Sequence, residues 1–295
     1  MTEERAKVGE VELVYETIGD PGNPALLLVM GLGMQLIHWD LELCEGLAER
    51  GFHVIRFDNR DAGLSTKIDA PVPNVMRAMA GLPIRAPYLL SDMAEDSFGL
   101  LDHLGVERAH VAGVSMGGMI AQTMAIRRPE RVLSLGSIMS TPGDRRVGRP
   151  KLRVWSVLTR RAPESREAYI DYFVRIFRMI GSPDYPVEEK RMRELAAATY
   201  DRCHYAAGTA RQLAAIFASG SRTAALRKLD VPTVVIHGRS DPLIPYRAGV
   251  ATARAIPGAE LVAFPGMGHD LPRELWPRFI DALTKNAERA ATPAA

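Results

Sequence analysis

Short apolar runs alternate with stretches of helical spacing along most of this chain. Ala25 to Met30, His53 to Phe57, Arg108 to Val114, Arg131 to Ile138, Thr233 to His237 and Glu260 to Phe264 read as strands. Their nearly continuous apolar character suits parallel strands covered on both faces. His38 to Arg50, Ser91 to Leu104, Met116 to Arg127, Tyr246 to Ala255 and Pro272 to Leu283 carry the helical period between them. Val11 to Ile18 alternates instead and predicts an edge strand of a hairpin. Strands and helices in this order predict an α/β fold with a doubly wound, mostly parallel sheet. Ligands in such sheets bind beyond the carboxyl ends of the strands.

The alternation breaks over Met139 to Lys228, where no convincing strand is present. Helical amphipathic patches stand at Tyr169 to Met179 and Met192 to Thr199. The pattern predicts a core in two parts, 1–138 and 229–286, an inserted helical cap at 139–228, and a frayed tail at 287–295. A second irregular stretch, Thr66 to Leu90, is rich in Pro and Met and fits no single regular element. Flexible Met side chains suit an adaptable apolar wall, though core packing accounts for them equally well. Met76 and Met79 are expected in a substrate pocket with Met30 and His38.

At 295 residues, the chain can bury one large core. Its formal charge of +2 supplies no overall attraction to nucleic acid. The charge is unevenly spread, however. Residues 141–228 hold 18 Lys or Arg and 9 Asp or Glu, out of 37 and 35 in all, so the cap carries +9 and the remainder −7. A cap that complements an acidic core is the favoured expectation; attraction of anionic substrates or a weak contact with anionic lipid surfaces is the other. Cys44 and Cys203 stand in no metal or redox spacing, which favours a reducing, cytoplasmic setting. The polar start, Met1-Thr2-Glu3-Glu4-Arg5, leads into no apolar signal core, and no run reaches the length of a membrane span.

The chemistry concentrates at Gly113-Val114-Ser115-Met116-Gly117-Gly118, where a strand turns into a helix. A serine on such a turn has its hydroxyl pushed clear of the backbone. Gly-x-Ser-x-Gly alone is weak evidence, because serine is a poor nucleophile without an oriented base. Here an acid and a base follow in order. Asp241 comes just after the strand ending at His237, and His269 just after the strand ending at Phe264. A hydrolytic triad of Ser115, Asp241 and His269 is therefore predicted.

The rivals are weaker. His53, His110 and His237 lie on strands and His103 on a helix, while His38 and His204 remain candidates for the pocket. Asp270 adjoins His269 and is badly placed to grip that imidazole. The oxyanion donors are expected to be the amide of Met116, following the nucleophile, and that of Leu32 in Met30-Gly31-Leu32-Gly33. No phosphate-binding Gly-rich loop or metal-ligand cluster is visible, so no cofactor or metal is expected.

These motifs resemble the α/β-hydrolase superfamily over nearly the whole chain outside the cap. Within it, they are similar to lipase/esterase-like members and aclacinomycin methylesterases. The likeness rests on Leu28-Val29-Met30-Gly31, Val54-Ile55-Arg56-Phe57-Asp58, Asp58 to Ser65, Ser115-Met116-Gly117 and Pro265 to His269. Two departures stand out: Met30 replaces a common His in the oxyanion loop, and Asp61 replaces a common Gly. The resemblance implies the same triad and oxyanion donors. It implies a cofactor-free serine carboxylic ester hydrolase acting through an acyl-enzyme on a small or lipid-like hydrophobic ester. Thioesterase, phospholipase, methylesterase, carbon–carbon hydrolase and perhydrolase chemistry use the same triad, and a non-catalytic small-ligand receptor or a surface-docking module are readings of another class. Epoxide hydrolase or dehalogenase chemistry implies Asp at position 115 and is disfavoured.

Overall fold

The computed structural model describes the chain apart from Met1, residues 80–81, 145, 149, 152–153, 155–161 and 292–295, and apart from the side chains of 78, 79 and 291. Eight strands form one sheet: β1 (Glu4–Val8), β2 (Val11–Ile18), β3 (Ala25–Val29), β4 (His53–Phe57), β5 (Ala109–Val114), β6 (Val132–Ile138), β7 (Thr233–Gly238) and β8 (Glu260–Phe264). The spatial order is β1-β2-β4-β3-β5-β6-β7-β8. The β1–β2 hairpin is antiparallel and joins antiparallel to β4; every pairing from β4 to β8 is parallel.

The helices are α1 (Leu41–Glu49), α2 (Val75–Met79), α3 (Leu90–His103), α4 (Met116–Arg127), α5 (Arg166–Ile180), α6 (Glu189–Arg202), α7 (Ala206–Ser219), α8 (Thr223–Leu226), α9 (Tyr246–Ala255) and α10 (Trp276–Ala291). The two faces of the sheet are sorted by side-chain alternation. In β3, Leu27 and Val29 join the apolar cluster under α3 and α4, while Leu26 and Leu28 join the one under α1 and α10. Both sets are almost fully buried, which explains the unbroken apolar run.

Three elements depart from the sequence-based expectation. Strand β2, expected at an edge, is flanked by β1 and β4, because the segment before it, Glu4–Val8, pairs along its outer side and takes the edge itself. Helix α10 runs through Ala291, so residues 287–291 continue a helix rather than a frayed tail; residues 292–295 lie outside the described part. Asn286 and Ala287 are buried there, and Ala is the best intrinsic helix former. Within Thr66 to Leu90, one short helix, α2, interrupts the irregular path.

Helices α5 to α8 are inserted between β6 and β7 and cover the carboxyl end of the sheet. Their arginines explain much of the uneven charge. Arg211 of α7 grips Asp61 with two hydrogen bonds of 2.9 Å, and Arg202 of α6 reaches Asp58 at 2.7 Å and Glu3 at 2.7 Å. Arg191 pairs with Asp40. Polar ties add to these: Gln35 donates to the carbonyls of Thr199 and Cys203, both at 2.8 Å. The cap thus places positive charge on carboxylates of the core. Removing one partner of a buried pair such as Arg211–Asp61 typically costs about 3–5 kcal/mol, so this is a firm seam. Asp61, at the position where a glycine is common, has φ 67° and uses its carboxylate as the hub: Tyr88 Oη donates to it at 2.7 Å and the amide of Ile68 at 2.9 Å.

Candidate active site

Strand β5 and helix α4 meet at Ser115, whose φ of 57° and ψ of −115° lie outside the ordinary regions for a side-chain-bearing residue. The flanking glycines are steric requirements. A Cβ at Gly113 would stand 2.1 Å from the carbonyl oxygen of Gly117, and one at Gly117 would stand 2.0 Å from that of Val29. The turn is pinned further by Ser115 N–H donating to Ile138 O at 2.9 Å and by Ser140 Oγ donating to Ser115 O at 2.7 Å.

Asp241 follows β7 and His269 follows β8, as the apolar runs placed them. His269 Nδ1 and Asp241 Oδ2 are 2.7 Å apart, with the carboxylate fully buried. The other carboxylate oxygen accepts the amides of Leu243 and Ile244, both at 2.8 Å. Burial alone would raise the Asp241 pKa, but His269 and His237, both on the Oδ2 side, outweigh that and hold it below the usual carboxylate range. An ionised Asp241 on Nδ1 fixes the tautomer in which Nε2 is free to accept a proton. Ser115 and His269 line one cavity, with Met30, Leu32 and His38.

The loop after β3 runs against the elbow: a Cβ at Gly31 would be 3.4 Å from Ser115 Cβ. In this loop, the amide of Gly33 is committed to Gln212 Oε1 at 2.8 Å and that of Met34 to Gly31 O at 3.2 Å. The Leu32 amide has no acceptor of its own among the described residues. The Met116 amide occupies the first position of α4, where no intrahelical acceptor exists. Both expected oxyanion donors therefore stand unengaged beside the serine.

The other histidines have other partners. His237 Nε2 donates to Ile244 O at 2.8 Å and stands 3.5 Å from Asp241. His110 bonds Ser134 Oγ at 2.9 Å, His103 packs edge-on against Tyr15, and His53 is buried in β4. His204 stacks on Tyr200 and also lines the cavity. Asp270 points away from its neighbouring imidazole and holds Ser182 of the cap through that residue's amide and hydroxyl. Ser182 Oγ in turn accepts the Gly268 amide at 2.8 Å, and His269 N donates to Ile180 O at 2.7 Å. The cap thereby grips the loop that carries His269. This tie went unseen in the sequence, since Ser182 and Asp270 are 88 positions apart.

The cavity holds about 1310 Å³, more than the 300–1,000 Å³ usual for ligand sites. Its walls are largely apolar and aromatic, with Met34, Met192, Phe173, Phe177 and Trp276 among them. Met30 and His38 line it as expected. Met76 does not line it, although it stands on the one-turn helix α2 beside it, whose length is too short for a periodicity to reveal its inner face. The side chain of Met79 lies outside the described part. Neighbouring Val72 and Val75 supply the wall instead.

His38 bridges core and cap, accepting the Gln35 amide at 3.1 Å on Nδ1 and meeting Thr199 Oγ1 at 3.3 Å with Nε2. Burial lowers its pKa to about 4, and burial does the same to His110. A lowered folded-state pKa means that the unfolded chain binds the proton first. Stability is therefore whole above pH 6.5 and is lost as pH falls toward 4, by up to about 3 kcal/mol for each histidine. Urea unfolding between pH 7 and 4 checks this: His110→Gln should flatten the decline, and a decline as steep as that of the parent protein would contradict it.

A family model described as the alpha/beta hydrolase fold matches residues 24–272, and the chain belongs to that family of hydrolases. The rhodomycin D methylesterase of Streptomyces sp. (strain C5) is 30% identical over 310 aligned positions, spanning 96% of this chain and 97% of its own. The enzyme of the same name from Streptomyces peucetius is 29% identical with the same coverage. The enol-lactonase from Burkholderia xenovorans LB400 shares the fold with a TM-score of 0.75 at 24% identity, over 97% of this chain and 100% of its own. The likeness to methylesterases read from the motifs holds. Among the described residues, no helix is long and apolar enough to cross a membrane, and no cluster of three or more His, Cys, Asp or Glu could hold a metal ion.

Proposed function

We propose that this protein is a serine hydrolase of carboxylic esters that takes substrates with a bulky, apolar acyl part. The observation that carries this reading is the 2.7 Å contact between His269 Nδ1 and a buried Asp241, on an oversized apolar cavity that a strained serine also lines. Ser115 Oγ attacks the ester carbonyl while His269 Nε2 takes its proton. The tetrahedral oxyanion is met by the amides of Leu32 and Met116, which need no reorganisation. Collapse expels the alcohol, protonated by His269, and leaves an acyl-enzyme. Water attacks that acyl group with His269 again as base, and the free carboxylic acid departs. The whole-length similarity to two methylesterases supports a small alcohol and a large acid over the reverse.

Methyl esters with different acids test this, because the leaving group stays constant. With kcat/KM normalised to each ester's rate of alkaline hydrolysis, methyl 2-naphthoate is expected to exceed methyl acetate by about 100-fold, the gain from burying an aromatic system. Equal normalised values for the two esters would contradict the reading.

A further inference from the structure

Arg222 lies just before α8 at the base of the cap, and it borders the cavity. The residue is 8% exposed. Its Nε donates to Gln122 Oε1 at 3.1 Å and its Nη2 to Thr141 O at 2.9 Å, both neutral acceptors. No carboxylate among the described residues comes within 4.0 Å of it. Other inward-facing arginines differ in this respect: Arg56, Arg60, Arg202 and Arg211 hold Glu16, Asp96, Asp58 and Asp61.

The acids bordering the same cavity are occupied elsewhere. Asp61 belongs to Arg211, Asp40 to Arg191 and Asp270 to Ser182, while Asp144 caps its own turn through the Arg146 amide. Nη1 of Arg222 has no partner among the described residues, yet it is not one of the polar atoms sealed from solvent. Burial lowers the guanidinium pKa to about 10, which leaves it charged at neutral pH. A buried charge without a counter-ion is costly, and a bound anion would relieve that cost.

We propose that Arg222 is the docking point for a carboxylate carried by the substrate, remote from the ester that Ser115 cleaves. This rests on the ester-hydrolase reading and narrows the substrate to an apolar ester that bears a second, free acid group. The anchors of Arg222 set the reach. Gln122 lies six residues beyond Met116 in α4, and Thr141 adjoins Ser140, whose hydroxyl holds the Ser115 carbonyl. At the helical rise, Gln122 stands about 9 Å along α4 from Met116, so a substrate with its acid group several carbons from the ester suits the site.

Mono-p-nitrophenyl suberate and p-nitrophenyl octanoate share a leaving group and chain length and differ in one terminal carboxylate. The expected result is a higher kcat/KM for the suberate in the parent protein. The suberate-to-octanoate ratio should fall by roughly 10- to 100-fold in Arg222→Met, the scale of a charge-assisted hydrogen bond, and by less in Arg222→Lys. Preference for the octanoate in the parent protein, or equal loss on both esters in both variants, would overturn the proposal. A parallel binding measurement separates it from the hydrolase reading. By calorimetry on the Ser115→Ala protein, monomethyl suberate should bind more tightly than methyl octanoate. Charge-selective binding without hydrolysis in the parent protein would leave the carboxylate site standing and remove the esterase. Hydrolysis and binding indifferent to charge would do the opposite.

Discussion

Replacing Ser115 with Ala is expected to lower kcat for p-nitrophenyl esters by roughly 10⁵- to 10⁶-fold, as loss of a triad nucleophile does elsewhere. The hydroxyl sits on the elbow itself, and the residues on either side, Val114 and Met116, carry no nucleophilic group. Folding should be unaffected, since the Ser115 side chain makes no hydrogen bond among the described residues that holds the turn. The bonds that do so use its backbone amide and carbonyl. Thermal unfolding within a few degrees of the parent protein, with turnover reduced to background, is the anticipated pair of results. Retention of more than about a hundredth of the activity would assign the chemistry to another group.

Asp241→Asn should cost about 10⁴-fold in kcat, and the geometry says why. Oδ1 of Asp241 accepts two backbone amides, from Leu243 and Ile244, and that side must remain an oxygen. The amide nitrogen of Asn is then turned toward His269 Nδ1, which becomes an acceptor. The imidazole proton moves to Nε2, the atom required to take the proton from serine. The side chain keeps its size and the fold its packing, so KM should change little. A loss smaller than tenfold would mean that His269 is oriented by something other than this carboxylate.

Much of this arrangement was legible in the sequence because its determinants are local. A buried parallel strand leaves a largely apolar run, unbroken in β3 and interrupted by single polar residues in β4 to β7, while β8 at the sheet edge is only partly buried. The loops that follow such runs hold functional groups, which singled out Ser115, Asp241 and His269 among many similar residues. The glycines around Ser115 were legible for the same reason, since their steric need arises within a few residues. The C-terminal helix was misread where alanines look featureless, although they favour helix and Ala287 packs against the core.

Contacts between distant segments left no such trace. Arg211 meets Asp61 across 150 positions, and Arg222 meets Gln122 across 100. Neither pair has a period or spacing that would single it out. The cap's excess of positive charge was visible as a sum, but its direction, inward to Asp58, Asp61 and Asp40, depends on how α5 to α8 fold back. Met76 failed as a pocket residue on similar grounds: one helical turn carries too little pattern to tell an inner from an outer face.

The most direct measurement is the position of covalent attachment by an alkyl fluorophosphonate, read by mass spectrometry of peptides beside the loss of esterase activity. One adduct per chain on Ser115, forming at the rate at which activity disappears and greatly slowed in Asp241→Asn, is the expected result. Modification at another residue, or a Ser115 that stays unmodified while hydrolysis continues, would contradict it.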